Sequence, residues 1–393
     1  MAPTILSGFD HADAPGVLAD PFGEWDRLRE AYGAFGSDKN PTRTVWFLLR
    51  HDDIHRALQE PDLFSSRSVV PFTDENHRWI PEELDPPEHA KYRQPLNPLF
   101  SPSRVEAMEP EIRAFCVELV DGLAAKGSCD LLADFARLFP TTIFIRLMGL
   151  PVSEAEQFLR WAHELMHTKP DADPDGAIRG GAMTSIMRYL GSLIAARQAE
   201  PLDDIVGHLV TSTIDGRALT MEELLETCFL LCMAGLDTVA GMLTYTFKHL
   251  VEHPEHQELV RSRPEVIGDV IEECLRMYAI VTTSRVVTRD VEFAGCPMKA
   301  GDRIVTPTAS ANRDPAAFER ADAFVADRNP NRHIAFGAGP HRCVGSHLAR
   351  LELRIAVEEW HQRIPTYRIA DGAVIEQHVG GVAGIDVLPI TWT

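Results

Sequence analysis

A mainly α fold with a minor β part is what this sequence predicts, on three observations. Apolar residues recur at helical spacing over most of the chain, most plainly from Thr220 to Leu250. After Ile280 that spacing gives way to short strand-like pieces separated by turns. The composition is that of a globular protein, 45% apolar and 24% charged over 393 residues, which is enough for a sizeable core. No repeat, low-complexity tract or shift in composition marks a linker. The expectation is one domain over residues 1–393, its strand-rich part drawn from about 42–50, 285–306 and 370–393.

The elements follow in chain order. Pro21 to Tyr32 carries a short apolar face, and Thr42 to Leu49 alternates Val45, Phe47 and Leu49 as a strand does. Asp52 to Gln59 reads as a short helix stopped before Pro61. From Ser68 to Pro87 periodicity is lost among Pro71, Pro81, Pro86 and Pro87. A long irregular stretch in a compact protein often carries function. Helical spacing returns at His89–Phe100, Pro102–Ala125, Leu131–Met148, Ser153–Thr168 and Gly180–Glu200. Thr220, with Glu223 three residues on, forms a capping box. It opens a helix of about thirty residues, long enough to cross the molecule. Pro264 to Arg276 is a further helix. Arg285–Thr288, Val291–Phe293 and Arg303–Thr306 read as strands, Ser346–Trp360 as the last helix, and Gly380, Gly381 and Gly384 as turn residues.

Charge and cysteines narrow the function. A formal charge of -20 disfavours nucleic acid and anionic membrane as partners. The N-terminal MAPTILSGFDHADAPG lacks a basic stretch followed by an apolar run, so no signal peptide is expected. The apolar region Leu224–Leu250 is broken by Glu226, Asp237 and Lys248 and suits a buried helix better than a membrane span. Seven Cys, an odd number without a framework, favour a reducing, cytoplasmic setting.

Two stretches carry chemistry. In Phe336-Gly337-Ala338-Gly339-Pro340-His341-Arg342-Cys343-Val344-Gly345 a Cys stands before a helix, where free N–H groups and the dipole stabilise a thiolate. Gly337, Gly339 and Gly345 let the backbone turn tightly or lie against a flat partner. No second Cys lies at zinc-knuckle spacing, so one soft ligand on an apolar loop points to haem iron. The competing reading is a buried, inert thiol. In Leu231-Cys232-Met233-Ala234-Gly235-Leu236-Asp237-Thr238-Val239, an acid in apolar surroundings is costly unless paired. A Thr beside it can supply a hydroxyl to a proton path or bond back to the carbonyl one turn earlier. The plainer reading is a helix bent at Gly235 with a solvent-facing Asp237. Cys228 and Cys232 read as core. His163-Glu164-Leu165-Met166-His167 matches the zinc-protease pattern, but no third ligand is visible, and so short a pattern arises by chance.

The ten residues ending at Gly345 resemble the haem-binding signature of the cytochrome P450 family, and the Gly235–Val239 wording is especially like its soluble camphor-hydroxylating bacterial members. The resemblance covers roughly Phe47 to Trp392. It implies a triangular helical prism with haem b buried beside a long central helix and Cys343 as its axial metal ligand. Phe336, Gly337 and Gly345 would belong to the haem loop, and His89, Arg93, Arg285 and His341 to the propionate contacts. Thr238 would orient oxygen, Asp237 gate proton delivery, and Gly235 permit a local distortion. Glu273 and Arg276, three apart on one helix face, would lock the core together with Arg328 or Arg332. The substrate pocket would be His77, Trp79, Ile280, Val281, Thr282 and Val382, mainly apolar, with His77 where relatives place a Tyr hydroxyl.

The activity so implied is monooxygenation of a small apolar substrate, a terpenoid or norisoprenoid, with O₂. NAD(P)H electrons would arrive through a ferredoxin reductase and an iron–sulfur ferredoxin docked near Arg93, Arg104 and Arg342. Alternatives are small aromatic or fatty-acid substrates, a peroxygenase or isomerase, and a haem carrier or sensor. A peroxide-using member commonly lacks the Asp237–Thr238 pair, and a carrier has no need of it.

Overall fold

The helix opened by Thr220 organises the molecule, in a computed structural model that describes residues 3–72, 78–168 and 172–393. It runs from Met221 to Glu252. The Thr220 hydroxyl accepts from the Glu223 N–H at 3.2 Å, and the Glu223 carboxylate accepts from the Thr220 N–H at 2.7 Å. Two orphan donors of the first turn are thereby satisfied. By length and hydropathy this helix could cross a membrane. In the fold it is instead a core helix, packed on Leu138–Leu147, Ala177–Ala199 and Ser346–Arg363, with Cys228, Cys232, Leu243 and Phe247 buried. Ser346–Arg363 in turn lies along Pro102–Ala124.

Most helices lie within a few residues of expectation, and the departures have local causes. The Leu131–Met148 stretch divides into a π turn, Leu132–Ala136, and an α-helix, Leu138–Leu147. His89–Phe100 becomes the α-helix Glu88–Leu96 and a 3₁₀ turn from Asn97, where Pro98 has no N–H to continue the ladder. Four short helices were not foreseen, Pro15–Ala19, Ile205–Thr211, Pro254–Ser262 and Thr308–Asn312. Ile205–Thr211 is capped by the Asp204 carboxylate, which accepts from the Gly207 N–H at 2.7 Å; Pro254–Ser262 begins on a proline.

The main sheet has six strands in the order Ile5–Leu6, Ala34–Ser37, Val45–Leu48, Arg303–Pro307, Thr282–Val287, Phe64–Ser65. The alternation in Val45–Leu49 is real, yet both faces are buried. Val45, Phe47 and Leu49 join Trp25 and Phe35, while Trp46 and Leu48 join Ile54, Leu58 and Phe64. Gly384, expected in a turn, instead begins the strand Gly384–Val387, paired with Glu376–His378. A Cβ there would lie 2.5 Å from the His378 ring. The proline-rich segment is pinned by two carboxylates. Asp85 accepts from the Ser65 hydroxyl and the Ser66 N–H, and Glu83 accepts from the N–H groups of Val69 and Trp79. His77 lies outside the described residues.

Candidate active site

The Cys loop is shaped by its glycines and tied by its backbone. Gly337 and Gly339 sit at φ +70° and +68°, where a side chain is strained. A Cβ at Gly339 would also stand 2.3 Å from the Leu58 carbonyl oxygen. The Cys343 N–H donates to the Phe336 carbonyl at 2.9 Å, closing the loop. Arg350 covers Phe336 with its guanidinium 4.5 Å from the ring centroid. Arg350 also pairs with Glu272 at 2.5 and 2.9 Å, and His333 holds the same carboxylate at 2.9 Å. Glu272, His333 and Arg350 escaped the sequence reading because nothing in their spacing links them.

Cys343 alone among the seven cysteines is exposed, yet burial is the largest influence on its thiol and pushes its pKa up. The Gly345 N–H and the charges of Arg93 and Arg342 pull the other way. A sulfur both accessible and desolvated faces an internal opening rather than bulk water. The helix itself starts only at Ser346, so the Gly345 N–H, and not the dipole alone, favours the thiolate.

The central helix presents a matching face. Ala234 is exposed and Gly235, Asp237 and Thr238 are half-exposed, although Leu231, Cys232, Met233, Leu236 and Ala240 around them are buried. The Thr238 hydroxyl donates to the Ala234 carbonyl at 3.0 Å. The helix continues through Gly235 without a break. The glycine admits a neighbour, since a Cβ would lie 2.4 Å from the Phe144 ring. Trp79 packs edge-on against Phe229 at 5.8 Å. Ile280 lies against Gly241, one turn beyond Thr238. Val281 and Val382 form a β-bridge, flanked by bonds from Ala383 N–H to Ile280 and from Thr282 N–H to Gly381. Trp79 thus stands beside the helix at Phe229, and Ile280, with the Val281–Val382 bridge and Thr282 next to it, beside the helix at Gly241.

Four basic side chains converge behind the Cys loop. The rings of His89 and His341 are 4.1 Å apart. Arg93 donates to the Arg342 carbonyl at 3.0 Å, and Arg285 to the Thr283 hydroxyl at 3.0 Å and the Ser284 carbonyl at 2.6 Å. Burial first, then the neighbouring cations, push His89 to about 4 and His341 to about 2. Neither His341 nitrogen makes a well-formed hydrogen bond although both are buried, and among the described residues none of the four pairs with a carboxylate within 4.0 Å. Two arginines without a carboxylate partner and a buried His341 ring beside an accessible thiol fit haem, whose propionates would answer the cations and whose iron would take the sulfur. Arg93 is thereby engaged with the Cys loop, which leaves Arg104 and Arg342 as the exposed arginines of the trio named for docking.

Glu82 was missed altogether. It is half-exposed, yet burial raises its pKa while Arg285 and Arg93 lower it, and its charge acts on Cys343. The carboxyl therefore lies near enough to Arg93, Arg285 and Cys343 to act on them. One of two adjacent Glu in an irregular stretch carries no periodic signal that could have marked it.

Below the loop, Glu273 and Arg276 are wholly buried and doubly bonded at 2.7 and 2.9 Å. Arg328 donates to both Glu273 oxygens at 3.1 and 3.0 Å, Asn331 adds 3.1 Å and the Val325 N–H 2.9 Å. The third member is Arg328; Arg332 is exposed. Burial opposes ionisation of Glu273, but Arg276, the Val325 N–H and Arg328 outweigh it and hold its pKa down.

Comparison with known proteins agrees with this geometry. The cytochrome P450 family model matches residues 17–363. The chain is 38% identical over 402 residues to "Probable cytochrome P450 127A1" of Sinorhizobium fredii, covering 100% of this chain and 96% of that one. It is 32% identical over 342 residues to a steroid C26-monooxygenase of Mycobacterium tuberculosis, covering 86% and 92%. The crystal structure of cytochrome P450 CYP101C1 superposes with a TM-score of 0.90 at 30% identity, covering 100% and 98%. The chain belongs to the cytochrome P450 family. It is a haem-thiolate monooxygenase, and haem, when bound, supplies the iron at which O₂ is activated.

Proposed function

We propose that the enzyme hydroxylates a small, mostly apolar terpenoid or norisoprenoid carrying one oxygen function, in the cytoplasm, with electrons from an iron–sulfur ferredoxin and its NAD(P)H-dependent reductase. The apolar wall of Ile280, Val281 and Val382 beside Thr238 carries this reading. The wall holds the substrate's carbon skeleton by burial, at about 25 cal/mol per Å² of apolar surface. Glu82 takes the part of polar handle expected of His77, accepting a hydrogen bond from a substrate hydroxyl. Thr238, released from the Ala234 carbonyl, presents its hydroxyl to oxygen, and Asp237 one residue away relays the proton. Arg104 and Arg342 receive the acidic electron donor, their charges setting encounter rate more than affinity.

The test is a spectral-shift screen of monoterpenoids, norisoprenoids, steroids, small aromatics and fatty acids, followed by product analysis. Oxygenated terpenoids should give the tightest high-spin shifts. Glu82→Gln should weaken them by about ten-fold or more, while a hydrocarbon analogue should hardly respond, because a site built around a polar group discriminates most sharply on that group. Tight shifts with long-chain fatty acids alone would overturn the substrate class.

A further inference from the structure

At the far end of the central helix, four ligand-type side chains stand apart from the oxygen site. His249 lies in its last turn and His253 caps it, while Glu255 and His256 open the next helix, Pro254–Ser262. The turn at Pro254 folds the last two back on the first two. Ligand atoms of His253, Glu255 and His256 all lie within 4.8 Å of one another. His249 Nε2 is 2.9 Å from His256 Nδ1, and His253 Nδ1 is 3.4 Å from Glu255 Oε1. The ring centroids of His249 and His253 are 4.4 Å apart, and those of His253 and His256 5.4 Å.

We propose that His253, Glu255 and His256, with His249 as fourth donor, bind a divalent metal ion of the zinc type that clips the end of the central helix to the helix after it.

Three imidazoles and a carboxylate are a donor set zinc accepts in tetrahedral geometry. Two nitrogens each 2.0–2.1 Å from one zinc stand roughly 3.3 Å apart, so the His249–His256 pair needs to open by only about 0.4 Å. The surroundings are those of a supported site. His249 Nδ1 is hydrogen-bonded to the Tyr278 hydroxyl at 2.7 Å, which orients the ring and aims Nε2 at the cluster. Phe324 stacks on His249 at 4.0 Å and lies 4.6 Å from His256, holding both rings. Glu255 is exposed and His253 and His256 half-exposed, which leaves the ion a way in. Without metal, the 2.9 Å contact is a hydrogen bond between two neutral rings.

The experiment uses untagged holoenzyme, incubated with zinc and desalted, with metal counted per haem by mass spectrometry and the thermal midpoint followed with zinc and then EDTA. The parent should retain one zinc per haem and gain a few degrees that EDTA reverses. His253→Ala with His256→Ala should lose both effects while keeping the reduced carbon monoxide spectrum of the folded enzyme. Glu255→Gln, at an exposed position that cannot endanger folding, should weaken zinc binding about ten-fold. His163→Gln, on the helix whose sequence imitates a zinc-protease motif, should retain the metal. A parent without zinc, a double variant that binds like the parent, an unchanged affinity in Glu255→Gln, or loss on His163→Gln would each overturn the site.

Discussion

At the scale of single residues, small side chains and short polar ones decide what the central helix can do. Thr238 spends its hydroxyl on the Ala234 carbonyl in the structure, a bond that is readily exchanged. Thr238→Ala should bind substrate nearly as the parent does, yet divert most reducing equivalents to peroxide or water. Equal coupling in variant and parent, measured as product per NAD(P)H, would remove Thr238 from proton delivery. Gly235 is fixed by Phe144, whose ring occupies the place of a Cβ. Overpacking there should cost about 1–3 kcal/mol, so Gly235→Ala should unfold earlier in urea, and Phe144→Leu in the same chain should restore most of the loss. A stable Gly235→Ala that Phe144→Leu fails to improve would show that the glycine serves the oxygen pocket and not the packing.

At the scale of elements, what was legible depended on whether the signal was local. The capping box at Thr220 and Glu223, the alternation in Val45–Leu49 and the Cys loop are read from neighbours in sequence, and each has its expected partners. Arg328 could not be told from Arg332, because the stretch before the Cys loop is irregular and only the tertiary fold decides which arginine turns inward. Glu82 was hidden for the same reason, and the strand Ala34–Ser37 because it shows no clear alternation. The Phe144 contact of Gly235 was hidden because a family's motif fixes residue types, while Phe144 comes from another helix. Arg328 is the place to test the network. Removing one partner of a buried pair leaves a charge uncompensated and typically costs about 3–5 kcal/mol. Glu273 keeps Arg276, Asn331 and the Val325 N–H, so the loss for Arg328→Met should fall toward the lower end. It should appear as a reduced yield of haem-loaded protein and an earlier urea midpoint, with Arg332→Met at parental stability. Equal losses in both would remove Arg328 from its central place.

Across the whole molecule, stability should depend on pH through histidines that the fold keeps neutral. His361 is buried, bonded through Nδ1 to the Val357 carbonyl at 2.7 Å, and held at about 4 chiefly by burial. His249 is held at about 3, again by burial first and then by His253 and His256. In the unfolded chain both titrate near 6.5. Their contribution is therefore complete above pH 6.5. It is lost as the pH falls toward about 4 for His361 and about 3 for His249, since the unfolded chain takes up protons that the folded one refuses. Each adds a slope of about 1.4 kcal/mol per pH unit in that window. Some carboxylates act in the opposite sense: burial raises Glu226 to about 7 and also lifts Glu352 and Glu82, so each is protonated in the fold before it is in the unfolded chain and adds stability as the pH falls. Glu272, which burial would raise but His333 and Arg350 bring to about 2, loses its contribution only below its unfolded value of about 4.3 and on through 2. The His361 share is therefore read as a difference between two chains, from thermal midpoints measured in EDTA so that metal at His249 does not intervene. Between pH 7 and pH 5 the midpoint of His361→Gln should change by one proton's worth less toward instability than that of the parent, whatever the substitution does to stability at pH 7. The same pH dependence in both chains would mean that the buried imidazole finds an acceptor when charged.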